Sequence, residues 1–315
     1  MHPDLPQKPG AEPQQPTPLT ATERVHPDLA TSATDGEIKV SVLKTLWLLV
    51  NGTGGVIAVV AFPQLDGLLV FLLLTAITIC AGHSVGMHRL LIHRSFEVPC
   101  LVEYVLVWLG VLVGMAGPIG MIKTHDMRDW HQRQTICPPH PSHGAGFWRD
   151  AWWQLCCTFD LRAPPTLVIE PRVSDDVVHR FLERTWMLQQ LPVAILLYAM
   201  GGWAWVLWGC CLRIFVSLAG HWMVGHHAHR RGTQNWRIEG LPVQGYNLPG
   251  LSLITFGENW HGNHHAFPHS AKLGIEPGQS DPGFLFVLGL KKLGLAWNIK
   301  LPGSEPQRHG LIRLD

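Results

Sequence analysis

The stretch L-V-E-Y-V-L-V-W-L-G-V-L-V-G-M-A-G-P-I-G-M-I, residues 101–122, decides how the chain is laid out. It is apolar enough to enter a bilayer, but Gly114, Gly117, Pro118 and Gly120 interrupt its second half. A hydrocarbon core of about 30 Å needs roughly 20 helical residues to cross. Histidine-bearing segments flank the stretch, at 82–96 and 123–134. A single crossing would put them on opposite sides of the membrane. The broken, glycine-rich end predicts instead that 101–122 lies at the interface or re-enters, so that both segments meet on one side.

Outward from this point the chain alternates apolar and polar. Residues 45–62 and 67–82 are apolar runs joined by Pro63–Asp66, which holds no Lys or Arg, and they read as a membrane hairpin. Residues 187–222 form the last apolar stretch, broken by Pro192 and by Gly201-Gly202. Two short helices around that glycine pair would make a second hairpin; alternatively, 187–200 is half of one long helix. Basic residues gather at the other ends of these runs: Lys44, Arg89, Arg94, Lys123, Arg128, Arg230, Arg231 and Arg237. The positive-inside bias then puts both turns outside and the polar segments in the cytoplasm. The expected fold is all-α and integral to the membrane. It has two transmembrane hairpins, about four spans, and a cytosolic helical cap.

Composition agrees. Of 315 residues, 47% are hydrophobic and only 15% charged, against about a quarter charged in an average soluble domain. The net charge of +1 offers no basic field for nucleic acid. The seven cysteines include no C-x-x-C and read as packing thiols in a reducing compartment. Residues 1–36 are polar and Pro-rich, with no apolar core for a secretory signal, and are expected to be disordered. Residues 37–302 then form the membrane domain and 303–315 a polar tail.

Of the nineteen histidines, twelve fall in four segments. The first, G-H-S-V-G-M-H-R-L-L-I-H-R-S-F (82–96), holds His83, His88 and His93. The second, K-T-H-D-M-R-D-W-H-Q-R-Q (123–134), holds His125 with Asp129 one helical turn on. The third is S-L-A-G-H-W-M-V-G-H-H-A-H (217–229), and the fourth is G-E-N-W-H-G-N-H-H-A-F-P (257–268). On a helix, positions i, i+3 and i+4 share a face, so His261, His264 and His265 can present two or three rings to one point. His88 and His93 are five apart, about 140° round an ideal helix, and converge only at a helix end or by flanking a site. Imidazole binds Fe, Zn, Cu and Ni, and a nitrogen-plus-carboxylate set suits non-haem iron. Ligand rings need acceptors behind them, for which Glu258, Asp126 and Asp150 are candidates. His226, His227 and His229 lie beside Arg230 and Arg231 and read as lipid-headgroup contacts.

H-R-L-L-I-H-R-S-F (88–96) resembles the first histidine box of the membrane acyl-CoA desaturases, and G-E-N-W-H-G-N-H-H-A-F-P (257–268) resembles the last. The resemblance extends over about residues 40–300. It implies a membrane fatty acid desaturase with a non-haem iron centre, di-iron in the family. It further implies O2-dependent insertion of a double bond into a fatty acyl chain. The metal-ligand role carries to His88, His93, His261, His264 and His265. His221 falls where the family places a further ligand after its last span. The middle box departs from the family's H-R-x-H-H: here it is His125-Asp126-Met127-Arg128-Asp129. His125 keeps the first ligand position. Asp129 would ligate as a carboxylate, or His131, His140 or His143 would substitute, or one metal position is weakened. Ser217 and Gly262 stand where the family usually has Asn. These departures resemble a bacterial branch with an H-D-x-R-D-W box.

A methylene C–H has no acidity, so the oxidant must come from the metal while the protein orients the chain and keeps water out. Abstracting hydrogen from two adjacent carbons gives an alkene; return of hydroxyl gives an alcohol. The implied partners are a fatty acyl substrate bound to CoA, carrier protein or lipid, the membrane lipid, and a separate electron-donor protein of ferredoxin or cytochrome b5 type. Trp130, Trp148, Trp152 and Trp153 read as channel lining or as interfacial anchors. The alternatives are a lipid hydroxylase or acetylenase, and a non-enzymatic membrane metal-binding protein. The last would place its ligands within the spans.

Overall fold

A computed structural model describes residues 23–304 and 308–314; most of the expected tail, residues 1–22, lies outside them. Strands β1 (Val25–His26) and β2 (Gly36–Val40) precede helix α1 (Val42–Ala61). After Pro63, α2 (Leu65–Ile77) runs unbroken into a π-helical segment, Thr78–Ile92. Then follow α3 (Cys100–Leu112), α4 (Pro118–Gln132) and α5 (Phe147–Cys156). Strands β3 (Cys157–Leu161) and β4 (Thr166–Leu167) lead to α6 (Pro171–Ser174) and α7 (Val177–Thr185). The last apolar stretch is α8 (Gln190–Val206), a π turn and α9 (Arg213–Ala228). Strand β5 (Trp236–Ile238), α10 (Ser252–Thr255), α11 (His261–Ala266), α12 (Pro282–Lys292) and β6 (Leu311–Arg313) complete the chain.

Among the described residues, three helices are long and apolar enough to cross a membrane: Val42–Ala61, Leu65–Ile92 and Gln190–Ala228. The first two form the expected hairpin. The third is not straight. Gly201 and Gly202 leave helical geometry, with Gly202 at φ +62°, where a side chain would be strained. The chain reverses there, because Gln190 accepts a hydrogen bond from Arg213 Nη2 at 2.7 Å, and Leu197 packs against Gly209. The second hairpin therefore forms around the glycine pair, and the long-helix alternative does not. Its first leg is too short to cross the bilayer alone. The two turns sit together: Trp205 Nε1 donates to Asp66 at 2.9 Å, and Trp208 Nε1 donates to the Phe62 carbonyl at 2.8 Å.

α3 has 13 residues, short of a span, and beyond it Gly114 turns at φ +84°. His93 and His125, on either side of residues 101–122, bring their Nε2 atoms to 3.2 Å. The intervening chain thus leaves and returns to one face of the bundle, as the broken sequence predicts. α3 packs directly on the π-helical segment. A Cβ on Gly82 or Gly86 would stand 2.4 Å from backbone atoms of Leu109 or Leu106. Small residues four apart let two helix backbones touch. Around this contact Val85, Met87, Leu91, Val107 and Val111 are fully buried.

The tails differ from expectation where they are described. β2 pairs with β3 over Gly36–Val40, and β1 pairs with β4, so residues 25–40 strap onto the segment 157–167. At the other end β6 pairs with β5, and Arg313 meets Glu276 at 3.0 Å. All seven cysteines are free thiols.

Candidate metal centre

The first histidine segment works because of its winding. In a π-helix each N–H reaches back five residues instead of four. His93 N–H accordingly bonds the His88 carbonyl at 3.1 Å. Side chains five apart then stand above one another. The His83 and His88 rings are 5° from parallel with centroids 6.4 Å apart, and those of His88 and His93 are 4.8 Å apart. A spacing that diverges on an α-helix converges here.

Two groups of imidazoles result. In the first, ligand atoms of His88, His93, His125 and His264 all lie within 4.8 Å of one another, drawn from the π-helix end, α4 and α11. In the second, the Nε2 atoms of His229 and His265 each approach Nε2 of His261 to 2.9 Å. One ring nitrogen cannot hydrogen-bond both neighbours with a single proton, so three converging lone pairs describe a cation site better than a hydrogen-bond network. The groups adjoin, since His261 and His264 belong to one turn of α11 with ring centroids 5.8 Å apart.

The surroundings keep the rings neutral and oriented. Burial pushes His93, His229, His261, His264 and His265 well below the ordinary histidine value, leaving their lone pairs available near neutrality. His125 is the exception. Burial pulls it down, but the carboxylates of Asp129 and Asp126 more than offset this and raise it. Asp126 Oδ1 holds His125 Nδ1 at 3.0 Å, and Glu258 Oε2 holds His88 Nδ1 at 2.6 Å. Glu258 also meets Arg89 at 3.1 Å and Ser84 at 2.7 Å. Burial alone would raise the Glu258 carboxyl, but His88 and Arg89 lower it well below its usual range.

Asp129 is buried, and opposing its burial His125 and Arg133 hold its carboxyl low. Its carboxylate meets Arg133 at 3.4 Å, and among the described residues it belongs to neither group of converging ligand atoms. His221 joins neither group: its ring sits edge-on to His83 at 4.9 Å. His229, one of the residues read as a headgroup contact, stands in the second group instead. His131 bonds the Met127 carbonyl at 2.6 Å, while His140 lies against Trp153 and Phe159. His143 and His226 both address Asp150 Oδ2, at 2.9 and 2.8 Å, and Trp222 Nε1 donates to the same oxygen at 2.8 Å. Three donors thus converge on one carboxylate oxygen, and that third cluster reads as a polar support, although His143 Nε2 is buried without a hydrogen-bond partner. The His143 ring stacks on His229 at 5.7 Å.

A cavity of about 520 Å³ adjoins both groups. Its lining combines His88, His125, His229 and His261 with the apolar Trp47, Met115, Trp186, Met187 and Leu218, and with the charged Lys44, Lys123 and Arg128. The tryptophans singled out in the sequence lie elsewhere. Trp130 is fully buried, Trp148 and Trp152 face outward, and neither they nor Trp153 line this cavity.

No family model matches the chain. Curated relatives do. The chain is 34% identical over 236 residues to an sn-1 stearoyl-lipid 9-desaturase of Anabaena variabilis, covering 75% of this chain and 85% of the relative. It is 32% identical over 247 residues to an sn-2 palmitoyl-lipid 9-desaturase of Nostoc sp. (strain 36), covering 78% and 84%. It is also 31% identical over 230 residues to an acyl-CoA C20 Delta5-desaturase of Anemone leveillei, covering 72% of each. The chain belongs to the membrane fatty acid desaturase family. It is an oxidoreductase and a membrane protein, with histidine groups that could hold a metal ion.

Within this desaturase the sequence alone could not choose His229. His221 and His229 are eight residues apart on one helix, close to the same stripe, and differ mainly by about 12 Å of depth. Only the position of α11 settles which one meets His261. The signal available was the end of α9: His229 is its C-cap.

Proposed function

We propose that this desaturase introduces a double bond into a fatty acyl chain lying in the cavity, using O2 at a pair of non-haem iron ions held by the two imidazole groups. The observation that carries the reading is the union of two adjacent, largely buried nitrogen clusters with a cavity that shares their residues and has a mostly apolar lining. Under this reading His88, His93, His125 and His264 hold one ion. His229, His261 and His265 hold the other, with Asp129 supplying a carboxylate where the family has histidine. His221 then lines the site without ligating. Iron, when bound, supplies the oxidant that removes hydrogen from carbon.

The chain's own residues do the rest. Glu258 and Asp126 fix which ring nitrogen of His88 and His125 faces the metal. Trp47, Met115 and Leu218 exclude water and hold the methylenes in line. The balance is a CH2–CH2 unit, O2, two electrons and two protons giving CH=CH and two waters. The electrons must come from a separate donor protein, and the Lys and Arg around the histidine end favour an acidic one and a cytoplasmic orientation. Two of the relatives are named for lipid-bound acyl chains and one for acyl-CoA, so the substrate class is an esterified long-chain acyl group.

The test is to express the protein with candidate acyl chains and read the products by mass spectrometry, alongside iron content of the wild type and of His264→Ala. An alkene that disappears together with bound iron in the variant supports the reading. A hydroxylated product would make the protein a hydroxylase on the same site. Iron and product both indifferent to His264 would end the proposal.

A further inference from the structure

Arg24 lies in the segment whose composition reads as a loose tail, yet it is 7% exposed and touches three parts of the cap. Its Nη1 donates to Asp126 Oδ2 at 3.0 Å, its Nη2 donates to the Ile92 carbonyl at 2.9 Å, and its Nε donates to Glu170 at 3.0 Å. Each partner sits next to something that matters. Asp126 holds the back of the His125 ring through its other oxygen. Ile92 immediately precedes His93. Glu170 also pairs with Arg94, which immediately follows it. One guanidinium therefore ties the end of the first histidine segment to the second, at the place where His93 and His125 bring their Nε2 atoms to 3.2 Å.

We infer that Arg24 is a positioning residue of the first imidazole group: the N-terminal strap is a working part of the metal centre, and Arg24 is its clasp. The planar fork suits this role, because it reaches a carboxylate and a carbonyl on different elements in fixed directions. A lysine would satisfy one of them at a time. The strap is anchored independently of the clasp. The Val168 N–H bonds the Arg24 carbonyl at 2.9 Å, Val25 pairs with Leu167, and the Val25 side chain is fully buried. The backbone thus delivers the side chain, and the side chain sets the rings. The inference rests on the reading that the first group binds metal.

The experiment compares Arg24→Gln, Arg24→Lys and Val25→Ala in the full-length protein, each titrated with Co2+ against a chelator. His93→Ala reports which binding event belongs to the first group. Arg24→Gln should weaken that event by about 10- to 100-fold, the usual effect of losing a group behind a ligand, and leave the other unchanged. Arg24→Lys should fall between it and wild type. Val25→Ala, which keeps the β1–β4 backbone bonds that place Arg24, should lower the melting temperature through lost packing and leave both affinities alone. If Arg24→Gln lowers the melting temperature with both affinities at their wild-type values, the clasp is only structural and the inference is wrong. If Arg24→Gln does not fold, the Lys variant decides in the same terms. Should His93→Ala leave Co2+ binding unaltered, the metal reading itself fails. The clasp is then judged in the metal-free protein, where the 15N signal of His125 Nδ1 must move in Arg24→Gln and stay in Val25→Ala.

Discussion

Replacing Glu258 by Gln keeps the shape of a side chain that faces three donors, and removes its charge. Its two oxygens serve His88 Nδ1 at 2.6 Å on one side, and Arg89 at 3.1 Å with Ser84 at 2.7 Å on the other. An amide has one acceptor oxygen, so in either orientation its NH2 confronts a donor. An unsatisfied buried donor costs about 1–3 kcal/mol, and a broken buried ion pair about 3–5 kcal/mol. Arg89 keeps Asp281 at 2.9 Å, so the loss belongs near the lower range, about 2–3 kcal/mol. At roughly 2 °C per kcal/mol for a chain of this size, the melting temperature falls by about 4–6 °C. Metal binding at the first group should weaken by about 10- to 100-fold, because His88 loses the acceptor that fixes its tautomer. The assay is chelator-competition titration of the purified protein together with thermal unfolding. Asp281→Asn serves as the control, since it disturbs Arg89 and the Leu273 and Gly274 N–H groups but does not touch His88. A Glu258→Gln protein that melts early yet binds metal as wild type, like the control, would refute the argument that Glu258 acts through His88.

Other expectations follow from single residues. Trp186 meets Trp47 edge-on at 5.6 Å in the cavity lining, so Trp186→Ala should shift product profiles toward longer acyl chains in competitive feeding. An unchanged chain-length profile counts against the cavity as the acyl site. Gly86→Ala drives a methyl into the Leu106 carbonyl at 2.4 Å and should cost about 1–3 kcal/mol or more, seen as reduced thermal stability and yield. His140 is pushed down to about 4, chiefly by burial and further by Lys44. The unfolded ring takes its proton near 6.5, so between these values the unfolded chain binds more protons and stability falls as pH falls. At pH 5 the difference is about 2 kcal/mol, and His140→Phe should lose correspondingly less stability than wild type between pH 7 and pH 5.

The spans and the last histidine segment were legible because each rests on a local rule. Hydropathy marks α1, α2 and the 190–228 stretch, and i, i+3, i+4 spacing marks His261, His264 and His265. The glycine pair likewise announced a reversal, since Gly202 adopts a backbone conformation that other residues resist. What stayed hidden depends on contacts distant in sequence. The five-residue spacing of His88 and His93 looked wrong for a helix because the α period was assumed, and nothing local announces fifteen residues of π winding. Gly82 and Gly86 were a clue, as close backbone approach to α3 is what that segment accommodates. Arg24 was invisible for the opposite reason: the Pro-rich composition around it spoke for the whole segment, while its partners lie at 92, 126 and 170.

The tryptophan bonds between the hairpin turns have a mechanical consequence. Trp205 on Asp66 and Trp208 on the Phe62 carbonyl fasten the bundle at the end farthest from the histidines. Four legs pinned at one end behave like a clothes peg, with all their play at the jaws. The jaws here are the histidine face, where under the proposed function an acyl chain would enter. If the histidine groups hold metal as proposed, stripping it should therefore loosen the histidine end first and leave the pinned helix ends in place.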